Sequence, residues 1–159
     1  MTAHHFTFHI TDESNASDIR EVETRAFGFS KEADLVASLL EDESARPALM
    51  DSPLMHILAP LAVIPEYQGM GVGGLLIRTG IEHLRQMGCQ TVFVLGHATY
   101  YPRHGFEPCA GDKGYPAPYP IPEEHKACWM MQALTAQPMN VTGHIQCAQA
   151  LMKPEHWRE

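Results

Sequence analysis

Basic residues are scarce in this chain. Eleven lysines and arginines stand against nineteen aspartates and glutamates, a formal net charge of −8. That balance excludes a general nucleic-acid or membrane-surface binder, whose affinity rests on an excess of cations, and it suits an approaching cationic amine. Long apolar runs are missing too. No stretch approaches the ~20 apolar residues that a helix needs to span a bilayer. The opening residues, Met1-Thr2-Ala3-His4-His5, have neither the basic start nor the apolar core of a secretory signal, so a cytoplasmic protein is expected. The four cysteines (Cys89, Cys109, Cys128 and Cys147) form no Cys-x-x-Cys pair, and reduced thiols are the simple reading. The ten histidines are scattered, and no metal site is expected. No Gly-Lys-Ser/Thr follows any glycine loop, which removes the nucleoside-triphosphate loop.

What is present is a glycine-rich junction. Leu61-Ala62-Val63-Ile64 reads as a short strand stopped by Pro65, and Gln68-Gly69-Met70-Gly71-Val72-Gly73-Gly74 follows. Val72, Leu75, Leu76, Ile81 and Leu84 then recur at helical spacing. The first N–H groups of a helix lack internal partners and carry the positive end of its dipole. Glycines let a phosphate approach them without meeting a Cβ. The stretch is therefore a candidate pyrophosphate cradle.

The 159 residues suit one domain, 1–159, with a real core. Phe6, Phe8 and Ile10 alternate, which predicts a half-buried strand over His4–Ile10. Asn15 is a candidate N-cap for a helix carrying Ile19, Val22, Ala26 and Phe27 on one face and ending at Gly28. Ser30 can cap a second helix with the stripe Leu35, Val36, Leu39 and Leu40. Leu54–Ile64 reads as one strand interrupted at Pro60, where the missing N–H must break a ladder. A helix over Gly71–Met87 ends at Gly88, and Thr91–Leu95 is a near-continuous apolar strand of the kind buried on both faces. Thr99–His104 reads as a helical turn, with strands over Gly105–Cys109 and Cys128–Leu134. Between them Pro116, Pro118, Pro120 and Pro122 stiffen a loop. An edge element is expected within 143–151 and a loose tail over 152–159.

Two motifs resemble the GNAT superfamily of acetyl-CoA-dependent N-acetyltransferases, and within it the small bacterial YhbS-like branch. One is Gln68-x-x-Gly71-x-Gly73 after Leu-Ala-Val-x-Pro; the other is Tyr101-x-x-x-Gly105-Phe106 after the strand Val92–Leu95. The resemblance implies an α/β fold with a mixed sheet (an acyl-CoA N-acyltransferase fold) and acetyl-CoA as co-substrate. It implies that the pyrophosphate sits on Gln68, Gly69, Met70, Gly71, Val72, Gly73 and Gly74. The pantetheine arm would pair with the backbone of Leu61, Ala62 and Val63, entering where two parallel strands splay. A main-chain N–H near Leu61 or Ala62 would serve as oxyanion donor. Tyr101 is the implied general acid, a phenol that is protonated at neutral pH and can donate to the departing thiolate; the adjacent Tyr100 competes for the role. No single base stands out among His56, Glu66, His97 and His104. Covalent catalysis by Cys109 or Cys128 lacks a paired His-Asp pattern, so direct transfer to an amine is the better reading. In the family the first two helices border the acceptor cleft, so Phe27 and Phe29 are candidates to line it.

The resemblance breaks between the second helix and the Leu-Ala-Val strand. The family places two antiparallel strands there; Glu43–Pro53 offers eleven residues with two prolines, too few for a hairpin of ordinary strands. An internal deletion is expected. It would leave the 54–64 strand without a neighbour unless His4–Ile10 moves in or a second copy of the chain covers it as a homodimer. Two readings of function follow. One is an N-acetyltransferase for an amino group on a small molecule or peptide; the other is a degenerate, non-catalytic acetyl-CoA-binding or interaction protein.

Overall fold

Thr91, Val92, Phe93 and Val94 are all buried, and the fold is layered about them. The computed structural model describes residues 6–45, 55–136 and 141–158. Three strands form a mixed sheet: β1 (Met55–Ile57), β2 (Thr91–Leu95) and β3 (Trp129–Ala133). β2 is central, parallel to β1 and antiparallel to β3, with Val92 opposite His56 and Gln132. Among the described residues three α-helices accompany the sheet: α1 (Ala16–Phe27), α2 (Lys31–Glu41) and α3 (Val72–Gln86). β1, α3 and β2 make the crossover that parallel strands require.

Alternation along β2 sends side chains to opposite faces, and each face has its own core. On one side Val92 and Val94 pack with Ile77 and Ile81 of α3 and with Tyr101, Phe106 and Met130. On the other, Phe93 stacks on Trp129 at 5.2 Å, joined by Tyr115, Ala117, Ile145 and Trp157. This second face is roofed by loops. The proline-rich segment supplies Tyr115, whose carbonyl accepts a bond from the Trp129 indole at 2.7 Å.

Several expectations are corrected here. Residues 6–10 form no strand, Ile10 being 82% exposed; His4 and His5 lie outside the described residues. Of the long strand expected over Leu54–Ile64, the described residues form only Met55–Ile57, because the ladder stops before Pro60; Leu54 lies outside them. Gly105–Cys109 contributes one bridge, Glu107 to Met131, since Cys109 turns into a left-handed conformation at φ 58°. The segment 143–151 holds a 3₁₀ turn, Gln149–Leu151, in place of an edge strand. It is pinned to the end of α2, where Asp42 Oδ2 accepts from Ala150 N–H and Ser44 Oγ accepts from Gln149 N–H. Within the C-terminal segment, Trp157 is 3% exposed, meets Trp129 edge-on at 5.4 Å, and donates its indole N–H to the Leu151 carbonyl. Most of the Glu43–Pro53 connection lies outside the described residues. Among the described residues nothing pairs with the outer edge of β1, and the N-terminal segment does not move in to cover it.

Candidate active site

The parallel strands part at one point. Leu58 N–H donates to the Phe93 carbonyl at 2.8 Å, the last bond between the two. Beyond it Val94 and Leu95 stay paired with β3, and Gly96 N–H donates to Cys128. The chain from Ala59 to Ile64 leaves the sheet. Pro60, whose preceding peptide is cis, has no N–H to continue the ladder. Leu61, Ala62 and Val63 are thus half-buried, irregular backbone on one arm of a fork, not the strand the sequence suggests. The splay itself is present.

The cradle follows. A 3₁₀ turn, Pro65–Tyr67, reverses the chain, and Gln68 reaches back so that its side-chain amide donates to the Val63 carbonyl at 2.8 Å. Gly69 and Gly71 have φ of 72° and 82°, and a Cβ on either would meet nothing within 4 Å. These glycines serve the turn's handedness, and the space over them is open. Gly71 caps α3 with no side-chain cap bond, and the first turn holds no acidic residue. The N–H groups of Val72, Gly73 and Gly74 have no intrahelical acceptor, so the positive helix end is uncovered. Met70, at 43% exposure, projects outward. Gly73 and Gly74 have a different reason to be glycine. A Cβ on Gly73 would lie 2.5 Å from the Tyr100 hydroxyl, and one on Gly74 would lie 2.7 Å from His104. Packing against those two side chains requires glycine at both positions, whatever their main-chain N–H groups bind.

The tyrosines divide the junction between them. Tyr101 lies against Gly96 at the end of β2, where a Cβ would sit 2.5 Å from its ring. It is 8% exposed and meets Phe106 and Tyr100 edge-on. Tyr100 is held between Tyr101 and His104, at 5.2 and 5.0 Å, and its hydroxyl reaches the start of α3 close to Val63. Of the candidate bases, His56 on β1 has a buried Nδ1 without a partner, and burial lowers its pKa. Glu66 is engaged by Arg25 of α1 at 2.5 Å. His97 is exposed, and His104 covers Gly74. Cys109 and Cys128 are free thiols, and burial pushes the Cys147 thiol up to about 11. Phe29, 55% exposed, lines a cleft of about 450 Å³ with Asp34, Leu35, Ala150 and His156; Phe27 is not part of that lining. No group of three or more metal-ligating side chains occurs among the described residues, and no helix there is long and apolar enough to cross a membrane.

One residue was missed from sequence. Glu23 is the buried side chain of α1, 7% exposed. Its signal was its position, four residues after Ile19 and four before Phe27, inside the apolar stripe.

Comparison with known proteins fits this geometry. Residues 34–108 match the model of the acetyltransferase (GNAT) domain. An uncharacterized N-acetyltransferase of Escherichia coli K12, YjhQ, is 81% identical, the alignment covering 93% of this chain and 95% of that one. The chain belongs to the GNAT acetyltransferase family. A second GNAT protein of that organism, the uncharacterized N-acetyltransferase YhbS, is 40% identical over 50 residues, 31% of this chain and 30% of its own. The crystal structure of E. coli YhbS in complex with CoA superimposes with a TM-score of 0.74 at 23% identity, over 94% of this chain and 97% of that one. A GNAT acetyltransferase from Brucella melitensis in complex with acetyl-CoA gives 0.66, at 23% identity and over 94% and 99% of the two chains. These show the GNAT fold. The YjhQ alignment runs over 172 residues, more than the 159 of this chain. Since 93% of 159 is about 148, about 24 aligned positions (172 less 148) have no counterpart here.

Proposed function

We propose that this GNAT protein binds acetyl-CoA and passes its acetyl group directly to an amino group of a small molecule or peptide. One observation carries the reading. An uncovered helix N-terminus, entered through two left-handed glycines with open space above them, stands beside the fork between β1 and β2. Acetyl-CoA supplies the activated thioester. Gly69, Met70, Gly71, Val72, Gly73 and Gly74 present the main-chain donors for its pyrophosphate, with Gln68 fixing the loop to Val63. The backbone of Leu61, Ala62 and Val63, outside the sheet and engaged here by the Gln68 amide at the Val63 carbonyl, pairs with the pantetheine amides as another strand would. Tyr101, at the end of β2, donates the proton that the leaving thiolate takes up.

The second reading is a coenzyme-binding protein without turnover. It is favoured by the two dozen positions absent relative to YjhQ, because the cradle is local while an acceptor pocket draws on the whole sheet. Calorimetric titration with acetyl-CoA, followed by thiol release over a panel of amines, separates the two. Absence of acetyl-CoA binding removes both, and tight binding without thiol release leaves the second.

A further inference from the structure

The chain has four lysines, and they fall into two pairs: Lys113 and Lys126, Lys31 and Lys153. The first pair is neutralised. Lys113 bonds Glu107 at 2.6 Å, and Lys126 bonds Glu123 at 2.6 Å. The second pair is not. Among the described residues no ion pair joins Lys31 or Lys153 to an acid. Yet both line one cleft, the cavity of about 450 Å³ bordered by Phe29. In a chain of net charge −8, two free ammonium groups from opposite ends of the sequence meet at a single cavity.

The cleft is built by the fold. One wall is the first half of α2, with Lys31 and Leu35; the other is the segment 150–156. That segment is fastened at three points. Asp42 Oδ2 accepts from Ala150 N–H at 2.8 Å, the Tyr119 hydroxyl donates to the Met152 carbonyl at 3.1 Å, and the Trp157 indole donates to the Leu151 carbonyl at 2.9 Å. A ligand entering there has little backbone to order. No residue of the cradle or of the fork lines the cavity.

Its charges do not cancel. Of the two lining acids, Asp34 accepts from Arg20 at 2.7 Å. Glu155 is exposed and adjoins His156. Burial lowers the His156 pKa; the Glu155 charge opposes that shift, and the Lys31 and Lys153 charges add to it. At neutral pH the imidazole is therefore an uncharged hydrogen-bonding group beside two ammonium ions. With Asp34 taken up by Arg20, the lining keeps an excess of one positive charge. Phe29, 55% exposed, and Leu35 supply an apolar surface next to it.

We infer that the cleft between α2 and the C-terminal segment binds a small carboxylate carrying an aryl or alkyl group, its oxygens accepting from Lys31 and Lys153 and its apolar part lying on Phe29 and Leu35. A carboxylate offers two acceptor oxygens, one for each ammonium, and the cavity has the size of a small-molecule site. One negative charge matches the excess. A phosphate carries close to two at neutral pH, and the second would face Glu155 uncompensated. An amine would meet the lysines as a like charge. A single exposed ion pair is weak, so both lysines are needed. The site does not depend on the acetyl-transfer reading.

The test uses the full chain without acetyl-CoA, at low ionic strength, where exposed charges are least screened. Phenylacetate, phenylacetamide, 2-phenylethylamine and inorganic phosphate are titrated by calorimetry. The expected result is millimolar or tighter binding of phenylacetate, none of the amide or the amine, and phosphate at least tenfold weaker. Lys31→Gln and Lys153→Gln should each weaken phenylacetate at least fivefold. Lys113→Gln removes the same charge outside the cleft and should leave the affinity unchanged. Circular dichroism establishes that each variant is folded, and either cleft variant alone suffices if the other is not. No binding of phenylacetate overturns the inference, as does equal binding of phenylacetamide, of phenylethylamine or of phosphate. So does unchanged affinity in a folded cleft variant, or an equal loss in Lys113→Gln. Acetyl-CoA titrated in parallel reports on the cradle alone, so the two sites stand or fall separately.

Discussion

Replacing Gly73 by alanine should destabilise the protein, and removing one oxygen atom elsewhere should reverse the sign. Alanine in a helix is favoured over glycine by up to about 1 kcal/mol, and Gly73 lies in the first turn of α3 with no left-handed requirement. Against that gain stands a Cβ placed 2.5 Å from the Tyr100 hydroxyl. The ring cannot swing clear cheaply, because Tyr101 and His104 pack against it at 5.2 and 5.0 Å. Overpacking of this kind costs ~1–3 kcal/mol, so Gly73→Ala alone should lose up to about 2 kcal/mol. In a Tyr100→Phe background the offending atom is gone, and the next contacts are at 3.7 Å, ordinary van der Waals distance. There Gly73→Ala should be neutral or stabilising. Urea denaturation of the four proteins in the cycle gives the coupling energy, expected at about 1–3 kcal/mol. Effects that add to within about 0.5 kcal/mol would refute the argument that packing against Tyr100 dictates this glycine.

Other expectations concern the ligand, the reaction, pH and assembly. Gly71→Val places a branched side chain at φ 82° over the cradle; acetyl-CoA affinity by calorimetry should fall more than tenfold, about 1.4 kcal/mol, and unchanged affinity in a folded variant would remove the cradle. Tyr101→Phe should lower kcat by ~10²-fold or more with little change in acetyl-CoA affinity, and full activity would leave Tyr101 a packing residue. The Glu23 carboxyl is raised from 4.5 to about 7 in the fold, so between those values the folded state keeps a proton that the unfolded state has released. Stability should therefore decline as pH rises from 4.5 to about 7 and level off above, by at most ~3 kcal/mol. Urea midpoints across that range should show the slope, with Glu32 opposite and Arg20 and Arg25 engaged elsewhere, and Glu23→Gln should flatten it; equal slopes would contradict the assignment. β1 has an uncovered outer edge among the described residues, and Met55 on it is 42% exposed. Sedimentation should show a concentration-dependent homodimer, and a monomer with a concentration-independent melting temperature would count against it.

The parts of the fold readable from sequence are those with a local cause. All three α-helices carry periodic apolar stripes, and left-handed glycines follow two of them, Gly28 at φ 79° and Gly88 at φ 82°. β2 was visible because burial on both faces demands an unbroken apolar run. Residues 4–10 alternate as a strand should, but alternation recruits no neighbour, and within 6–10 no strand forms. The second core escaped because it is assembled from Tyr115, Ala117, Ile145 and Trp157, which follow no period and meet only through tertiary packing. At the candidate site, the glycine turn and the parting strands were legible, since both follow from residues that cannot do what their neighbours do. The reasons for Gly73 and Gly74 were not, because they lie in side chains some thirty residues downstream. Glu23 was legible in principle as the wrong letter in an apolar stripe.

The chain contains two tryptophans, and both belong to the cluster on the loop-roofed side of the sheet, Trp129 and Trp157 with centroids 5.4 Å apart. The opposite face, where α3 and the glycine turn lie, has none. Intrinsic fluorescence therefore views this molecule from one side. Its emission reports the docking of the last described turn and the stacking of Phe93 on Trp129, and acetyl-CoA entering beyond the sheet would leave it almost unchanged. An optical titration that shows no signal would be describing where the indoles are, and a calorimeter or a labelled coenzyme is the instrument that sees the other half.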